Sequence, residues 1–82
     1  MTKEDTLFIA VGEPNWVPLE RVLTPRECET YMYMGRAGEI ELYKHRWTRR
    51  YLNIDRDGRF YFYSDGSYVE VTQAAAIQHV RR

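Results

Sequence analysis

Residues 51–71, YLNIDRDGRFYFYSDGSYVEV, decide the fold, because apolar and polar side chains alternate along them. Two Asp-Gly pairs interrupt the alternation, Asp57-Gly58 and Asp65-Gly66. A period of two is typical of strands that are covered on one side, and Asp-Gly is typical of tight hairpin turns. This stretch therefore predicts consecutive antiparallel hairpins.

The two turns also predict a register. A two-residue type I′ turn at Asp65-Gly66 predicts the pairs Tyr63–Tyr68, Phe62–Val69 and Phe60–Val71. A three-residue loop, Arg56-Asp57-Gly58, predicts the pairs Asp55–Arg59, Ile54–Phe60 and Leu52–Phe62. Apolar side chains then meet on one face throughout. A slip of one residue would turn this apolar set outward, so we expect a well-defined register.

Upstream of this stretch, Ile40 and Leu42 alternate with polar residues and predict the strand that begins the meander. Pairing Leu42 with Leu52 and Ile40 with Ile54 leaves Arg46-Trp47-Thr48 as the loop. This loop contains no glycine to support it. We therefore predict a meander of about three strands over residues 39–71.

Two helices are predicted to flank the meander. Thr24-Pro25-Arg26-Glu27 has the pattern of a capping box with proline at the first helical position, which predicts a helix from about Pro25 to Met34, ended by Gly35. Thr72 is suited to cap a short C-terminal helix with Ala76, Ile77 and Val80 on its apolar side. Residues 6–11 are apolar and favour an extra strand at one edge. The expected fold is a single small α+β domain over residues 1–82.

Composition narrows the possible classes of function. The chain of 82 residues has a net charge of zero, but residues 1–41 carry −4 and residues 42–82 carry +4. Such asymmetry is typical either of a basic binding surface or of two halves that attract each other. No apolar run approaches the length of a membrane span, and the first five residues lack the apolar core of a signal peptide. We therefore expect a cytoplasmic protein without membrane contact.

No residue pattern predicts a catalytic, metal or cofactor site. Cys28 is the only cysteine and is expected on the apolar side of a helix, where a thiol is inert. His45 and His79 are far apart in the sequence and belong to no ligand pattern. Asp55-Arg56-Asp57-Gly58 is explained better by turn chemistry than by calcium binding. We expect no cofactor and no metal, although a small enzyme or enzyme subunit remains an alternative.

The predicted register places aromatic and basic side chains on the sheet face opposite the core. Tyr43, Tyr68 and Glu41 are expected on this face too. The candidate binding residues are Trp47, Arg49, Arg50, Tyr51, Arg59, Tyr61 and Tyr63. Tyrosine and arginine suit contact with a protein partner or a second copy of the chain, while stacking on tyrosine suits single-stranded nucleic acid. Cross-strand tyrosine pairs also stabilise a sheet without any ligand. The sequence thus favours a non-catalytic binding module of unknown function.

Overall fold

The computed structural model describes residues 13–82, and these residues form a small α+β structure. Five antiparallel strands lie in chain order in one sheet. They are β1 (Tyr31–Ala37), β2 (Ile40–His45), β3 (Tyr51–Asp55), β4 (Phe60–Ser64) and β5 (Ser67–Val71). The strand predicted over residues 6–11 lies outside the described residues.

Three helices accompany the sheet: α1 (Val17–Glu20), α2 (Pro25–Cys28) and α3 (Gln73–Arg81). The core forms where Leu19 of α1 and Ala76 and Val80 of α3 join the apolar residues of the sheet. The sheet residues of this core are Tyr31, Tyr43, Leu52, Ile54 and Phe60. We call the side of the sheet that carries these residues the helix face. The opposite side, from which Lys44, Tyr51 and Tyr63 project, we call the open face, although Leu42, Asn53 and Asp55 are buried on that side.

The hairpin between β4 and β5 confirms the register predicted from Asp65-Gly66. Tyr63 pairs with Tyr68, Phe62 with Val69, and Phe60 with Val71. The φ angles of Asp65 and Gly66 are 50° and 82°, as a type I′ turn requires. The preceding loop also matches the prediction near its turn, where Ile54 pairs with Phe60 and Gly58 has φ 90°.

The helix predicted over residues 25–34 is wrong beyond its first turn. The capping box is present, since Thr24 Oγ1 accepts from Glu27 N and Glu27 Oε1 accepts from Thr24 N. The helix nevertheless ends at Cys28, and the chain enters β1 at Tyr31. A capping box specifies only where a helix begins. The alternating Tyr-Met-Tyr-Met of residues 31–34 suits a strand that pairs with β2, and the sheet has five strands where the sequence predicted about three.

The predicted pairing of β2 with β3 is wrong by one residue. Leu42 pairs with Asn53 rather than Leu52, and Ile40 pairs with Asp55 rather than Ile54. The turn is one residue longer than predicted, because His45 N donates to Arg50 O at 2.8 Å and encloses Arg46-Trp47-Thr48-Arg49. Because side chains alternate across a strand, the shift places Glu41 and Tyr43 on the helix face instead of the open face.

The shifted register is stabilised by partners far along the chain. The hydroxyl of Tyr43 donates to Asn15 O at 2.6 Å, and the Tyr43 ring stacks on Trp16 with centroids 5.6 Å apart. Glu41 accepts from the hydroxyl of Tyr33 on β1. These contacts bury both side chains completely. The alternation of residue types along β2 does not predict these contacts.

Candidate binding site on the open face

At one end of the sheet, tyrosine rings of the open face lie beside Lys44 on the same face and Arg50 next to α3. Lys44 of β2 pairs with Tyr51 of β3, and Tyr63 of β4 pairs with Tyr68 of β5. Arg50 immediately precedes Tyr51 and lines the same cleft as Tyr51 and Tyr63. We call the group formed by Lys44, Arg50, Tyr51, Tyr63 and Tyr68 the tyrosine end.

The rings of the tyrosine end lie close together and are partly open to solvent. The centroids of Tyr63 and Tyr68 are 5.0 Å apart in an edge-to-face arrangement. Lys44 Nζ lies 5.8 Å from the centroid of the Tyr51 ring, within cation–π range. Burial, together with the neighbouring Tyr63 and Tyr51, raises the pKa of Tyr68, so its ring stays neutral. Tyr51 is 36% exposed and Tyr63 56%.

The basic groups at this end are free of ion pairs within residues 13–82. Lys44, Arg49 and Arg50 belong to none of the salt bridges found there. Arg50 Nη1 instead donates to the carbonyl of His79 at 3.1 Å, which holds the guanidinium beside α3. Acidic groups of the first half of the chain pair elsewhere: Glu27 with Arg81, and Glu41 with Arg36.

The β2–β3 turn brings Arg49 to this end and turns Trp47 away from it. Arg49 has a φ of 67°, which is unusual for a residue with a side chain, and its amide donates to His45 O at 3.0 Å. Trp47 is 73% exposed, but its ring lies 5.6 Å from that of His45. His45 pairs with Tyr31 on the helix face. Trp47 therefore lies in the same turn but toward the helix face, away from the rings of the tyrosine end.

The other two candidate residues, Arg59 and Tyr61, form a separate group. Arg59 Nη1 lies 3.5 Å from Asp57 Oδ2, and Tyr61 donates to Asp55 Oδ2 at 2.7 Å. Tyr61 also pairs with Glu70 across β4 and β5. Carboxylates thus balance this half of the open face. Of the seven candidate residues, the structure brings together Arg50, Tyr51 and Tyr63 and leaves the other four around them.

Two residues of interest escaped the sequence prediction. Lys44 projects from the same face as Tyr51 only in the observed register of β2 and β3, so its position beside Tyr51 was not predicted. Asn53 is 4% exposed, and its Oδ1 has no hydrogen-bond partner within the described residues. The alternation along Tyr51–Asp55 gave no signal of this burial, because it places Asn53 among the side chains of the polar side.

A buried carboxylate on the helix face is occupied by structural contacts. Glu41 Oε1 accepts from the Tyr33 hydroxyl at 2.5 Å and from Arg36 Nε at 3.1 Å, while Arg56 Nε lies 3.7 Å from Oε2. Burial and the hydrogen bond to Glu41 raise the pKa of Tyr33 to about 12, which keeps it a donor. The Glu41 side chain is sealed from solvent. Its contacts hold β1 to β2 and leave no room for a substrate.

Other kinds of site find no support in residues 13–82. No group of three His, Cys, Asp or Glu side chains there is arranged to hold a metal ion. None of the helices in this part of the chain has the length and apolarity needed to cross a membrane. No protein-family model, curated protein or solved structure matches the chain.

Proposed function

We propose that this chain is a non-catalytic module that binds single-stranded nucleic acid at the tyrosine end. The observation that carries the proposal is the grouping of Tyr51 and Tyr63, both partly exposed, with Lys44 and Arg50, which have no ion-pair partner in the described residues. Aromatic rings that stack on bases, set among cations that neutralise phosphates, are the usual elements of such a surface.

The corrected register strengthens the charge argument. The sequence alone placed Glu41 on the same face as the tyrosines, where its carboxylate would repel phosphate. In the structure Glu41 lies on the helix face between Arg36 and Arg56. The cations at the tyrosine end come from the basic second half of the chain. Within residues 13–82, no carboxylate of the acidic first half forms an ion pair with them.

A protein partner or a second copy of the chain is the competing occupant. Tyrosine also dominates protein interfaces, but those interfaces are poor in lysine. Lys44 lies over the Tyr51 ring at the tyrosine end. A nucleic acid carries both phosphates and aromatic bases, and it therefore fits a lysine beside tyrosine rings better than a neutral protein surface does.

Binding of a fluorescently labelled single-stranded oligonucleotide, measured by anisotropy at several salt concentrations, tests the proposal. We expect the logarithm of the affinity to fall linearly with the logarithm of the salt concentration, with a slope of roughly 0.7 for each phosphate contacted. Tyr63→Ala is expected to lose about 1–3 kcal/mol of binding through lost stacking. Lys44→Gln is expected to reduce the salt slope.

Tyr61→Phe is the matched control, because the Tyr61 hydroxyl is already bound to Asp55 and its ring lies outside the tyrosine end. It is expected to bind like the wild type. Absence of binding at low salt would overturn the proposal. Concentration-dependent NMR shifts at Tyr51 and Tyr63 on simple dilution would instead identify the face as a contact between two copies of the chain.

A further inference from the structure

Strands β3 and β4 part from each other at the tyrosine end. Their ladder ends there at the pair Asn53–Tyr61, so the predicted pair Leu52–Phe62 does not form. A cleft of about 430 Å³ opens beyond the last pair, and residues of β3, β4 and α3 line it. This volume lies within the range of roughly 300–1,000 Å³ that is typical of small-molecule sites.

Arg50 and His79 give this cleft its nitrogen donors, and both side chains are half-buried on its walls. Arg50 Nη1 donates to the backbone carbonyl of His79 at 3.1 Å, which fixes the guanidinium beside the end of α3 and occupies a carbonyl at the negative end of that helix. The other N–H groups of the guanidinium are left over. The Phe62 ring packs on the His79 imidazole, with centroids 4.9 Å apart. Within residues 13–82, no carboxylate lines the cleft.

The imidazole of His79 lies among cations. Burial and the nearby charges of Arg50 and Arg82 lower the pKa of His79. Arg82 lines a smaller pocket that shares His79 with the cleft. From the sheet, the other titratable residues of the cleft are Tyr51 on β3 and Tyr63 on β4. The imidazole is therefore neutral at neutral pH, when it still donates one N–H, and an anion placed beside it would meet two guanidinium groups as well.

We propose that this cleft holds one phosphate group of the bound strand between Arg50 and His79, and that His79 takes up a proton from water as the phosphate binds. This inference rests on the proposed function, because it assigns one phosphate of the strand to a subsite within the tyrosine end. A phosphate that accepts hydrogen bonds from both residues brings a negative charge next to the imidazole. An opposite charge within about 4–6 Å favours the protonated imidazole. Because such coupling is reciprocal, protonation of His79 also strengthens the binding of the phosphate.

The affinity for oligothymidylate, measured at several pH values for the wild type and for His79→Gln, tests this inference. Thymine and the phosphodiester carry no group that titrates between about pH 5 and 8, where histidine does. Glutamine keeps an N–H donor but takes up no proton. We expect the affinity of the wild type to rise about tenfold more than that of the variant as the pH falls across this range, as the attraction of opposite charges about 4 Å apart near the surface implies. If both proteins bind with parallel pH profiles, the inference is overturned and the proposed function stands.

The role of Arg50 is tested by Arg50→Gln, with Arg81→Gln as the matched control, because Arg81 pairs with Glu27. We expect Arg50→Gln to lose about tenfold in affinity for oligothymidylate, as the loss of a hydrogen bond to a charged group implies. Arg81→Gln is expected to bind nearly like the wild type. Equal losses in the two variants would contradict a contact between Arg50 and a phosphate.

The His79 ring signals in the wild-type NMR spectrum provide a second measurement, which does not depend on the folding of a variant. Their titration midpoint is expected to rise at saturation with oligothymidylate, and a fixed midpoint would refute the inference. The His45 ring, which packs against Tyr31 and Trp47, is the internal reference.

If no oligonucleotide binds, the proposed function fails by itself, and inorganic phosphate then takes the place of the strand in the same NMR titration. A His79 midpoint that is higher in phosphate than in chloride of the same ionic strength would support the phosphate subsite. Equal midpoints in the two salts would refute it.

Discussion

The Tyr61 hydroxyl donates a 2.7 Å hydrogen bond to Oδ2 of Asp55, while Oδ1 of the same carboxylate accepts from the amides of Asp57 and Arg59, each at 2.9 Å. Burial by itself would raise the pKa of Asp55, but these hydrogen bonds outweigh it and lower the pKa. The Asp55 carboxylate thus stabilises both the β3–β4 turn and strand β4.

The lowered pKa of Asp55 predicts a specific loss of stability in acid. A carboxyl group whose pKa is lower in the folded state stabilises the fold above its unfolded pKa, and this contribution disappears as the pH falls through the folded pKa. We therefore expect Tyr61→Phe, which removes one of the stabilising hydrogen bonds, to lose less stability than the wild type on acidification. Urea unfolding between neutral pH and about pH 3 measures this difference. Tyr63→Phe, which alters an exposed tyrosine, serves as the control, and an acid profile identical to that of Tyr61→Phe would contradict the assignment.

The Asp65-Gly66 turn predicts losses of different size for two substitutions at one position. Gly66 has a φ of 82°, and a Cβ added there would meet no atom within 4 Å, so the cost of substitution is backbone strain alone. We expect Gly66→Ala to lower the free energy of unfolding by about 1–2 kcal/mol, and Gly66→Asn to lose much less, since asparagine tolerates this region. Thermal unfolding of the two variants compares them directly. Equal stabilities would show that the turn does not require a positive φ.

Removal of the buried carboxylate of Glu41 is expected to destabilise the sheet. Glu41→Ala leaves the Tyr33 hydroxyl and the Arg36 guanidinium without their acceptor, which costs about 1–3 kcal/mol for the unsatisfied groups. Glu39→Ala is the matched control, because Glu39 is exposed at the turn before β2. Denaturant midpoints measure the difference, and a Glu41→Ala midpoint equal to that of Glu39→Ala would contradict the role of Glu41.

The capping box of α2 predicts a smaller loss on substitution of Thr24. Thr24→Ala removes the acceptor for Glu27 N, and loss of an N-cap typically costs about 1 kcal/mol. Thr24→Ser retains the hydroxyl and is expected to unfold like the wild type. Indistinguishable unfolding midpoints for the alanine and serine variants would show that the cap contributes nothing to stability.

Features that depend on local conformation were predictable from the sequence. The Asp65-Gly66 turn sets the pairing of β4 with β5 by itself, because the positive φ angles that it needs restrict both residue types and loop length. The capping box at Thr24 likewise identified where α2 begins. The neighbouring positions of Tyr63 and Tyr68 followed from the first of these signals.

Features that depend on distant partners were not predictable in this way. The loop between β2 and β3 contains no glycine, so its length was ambiguous by one residue. The observed length is favoured by Asn15, Arg36 and Arg56, which provide partners for Tyr43 and Glu41. The parting of β3 and β4 next to Asn53 is likewise a tertiary feature. The local alternation of Leu52 and Phe62 predicts the opposite.

The left-handed backbone at Arg49 puts stability and charge in conflict at one position. A side-chain-bearing residue with a φ of 67° costs roughly 1–2 kcal/mol relative to a relaxed conformation, and glycine would avoid that cost. Glycine would also delete a cation next to the tyrosine end. Selection for thermal stability alone would therefore replace Arg49, whereas selection for attachment to an anionic strand would keep it. Arg49 is therefore not the residue that stability alone would favour at this position.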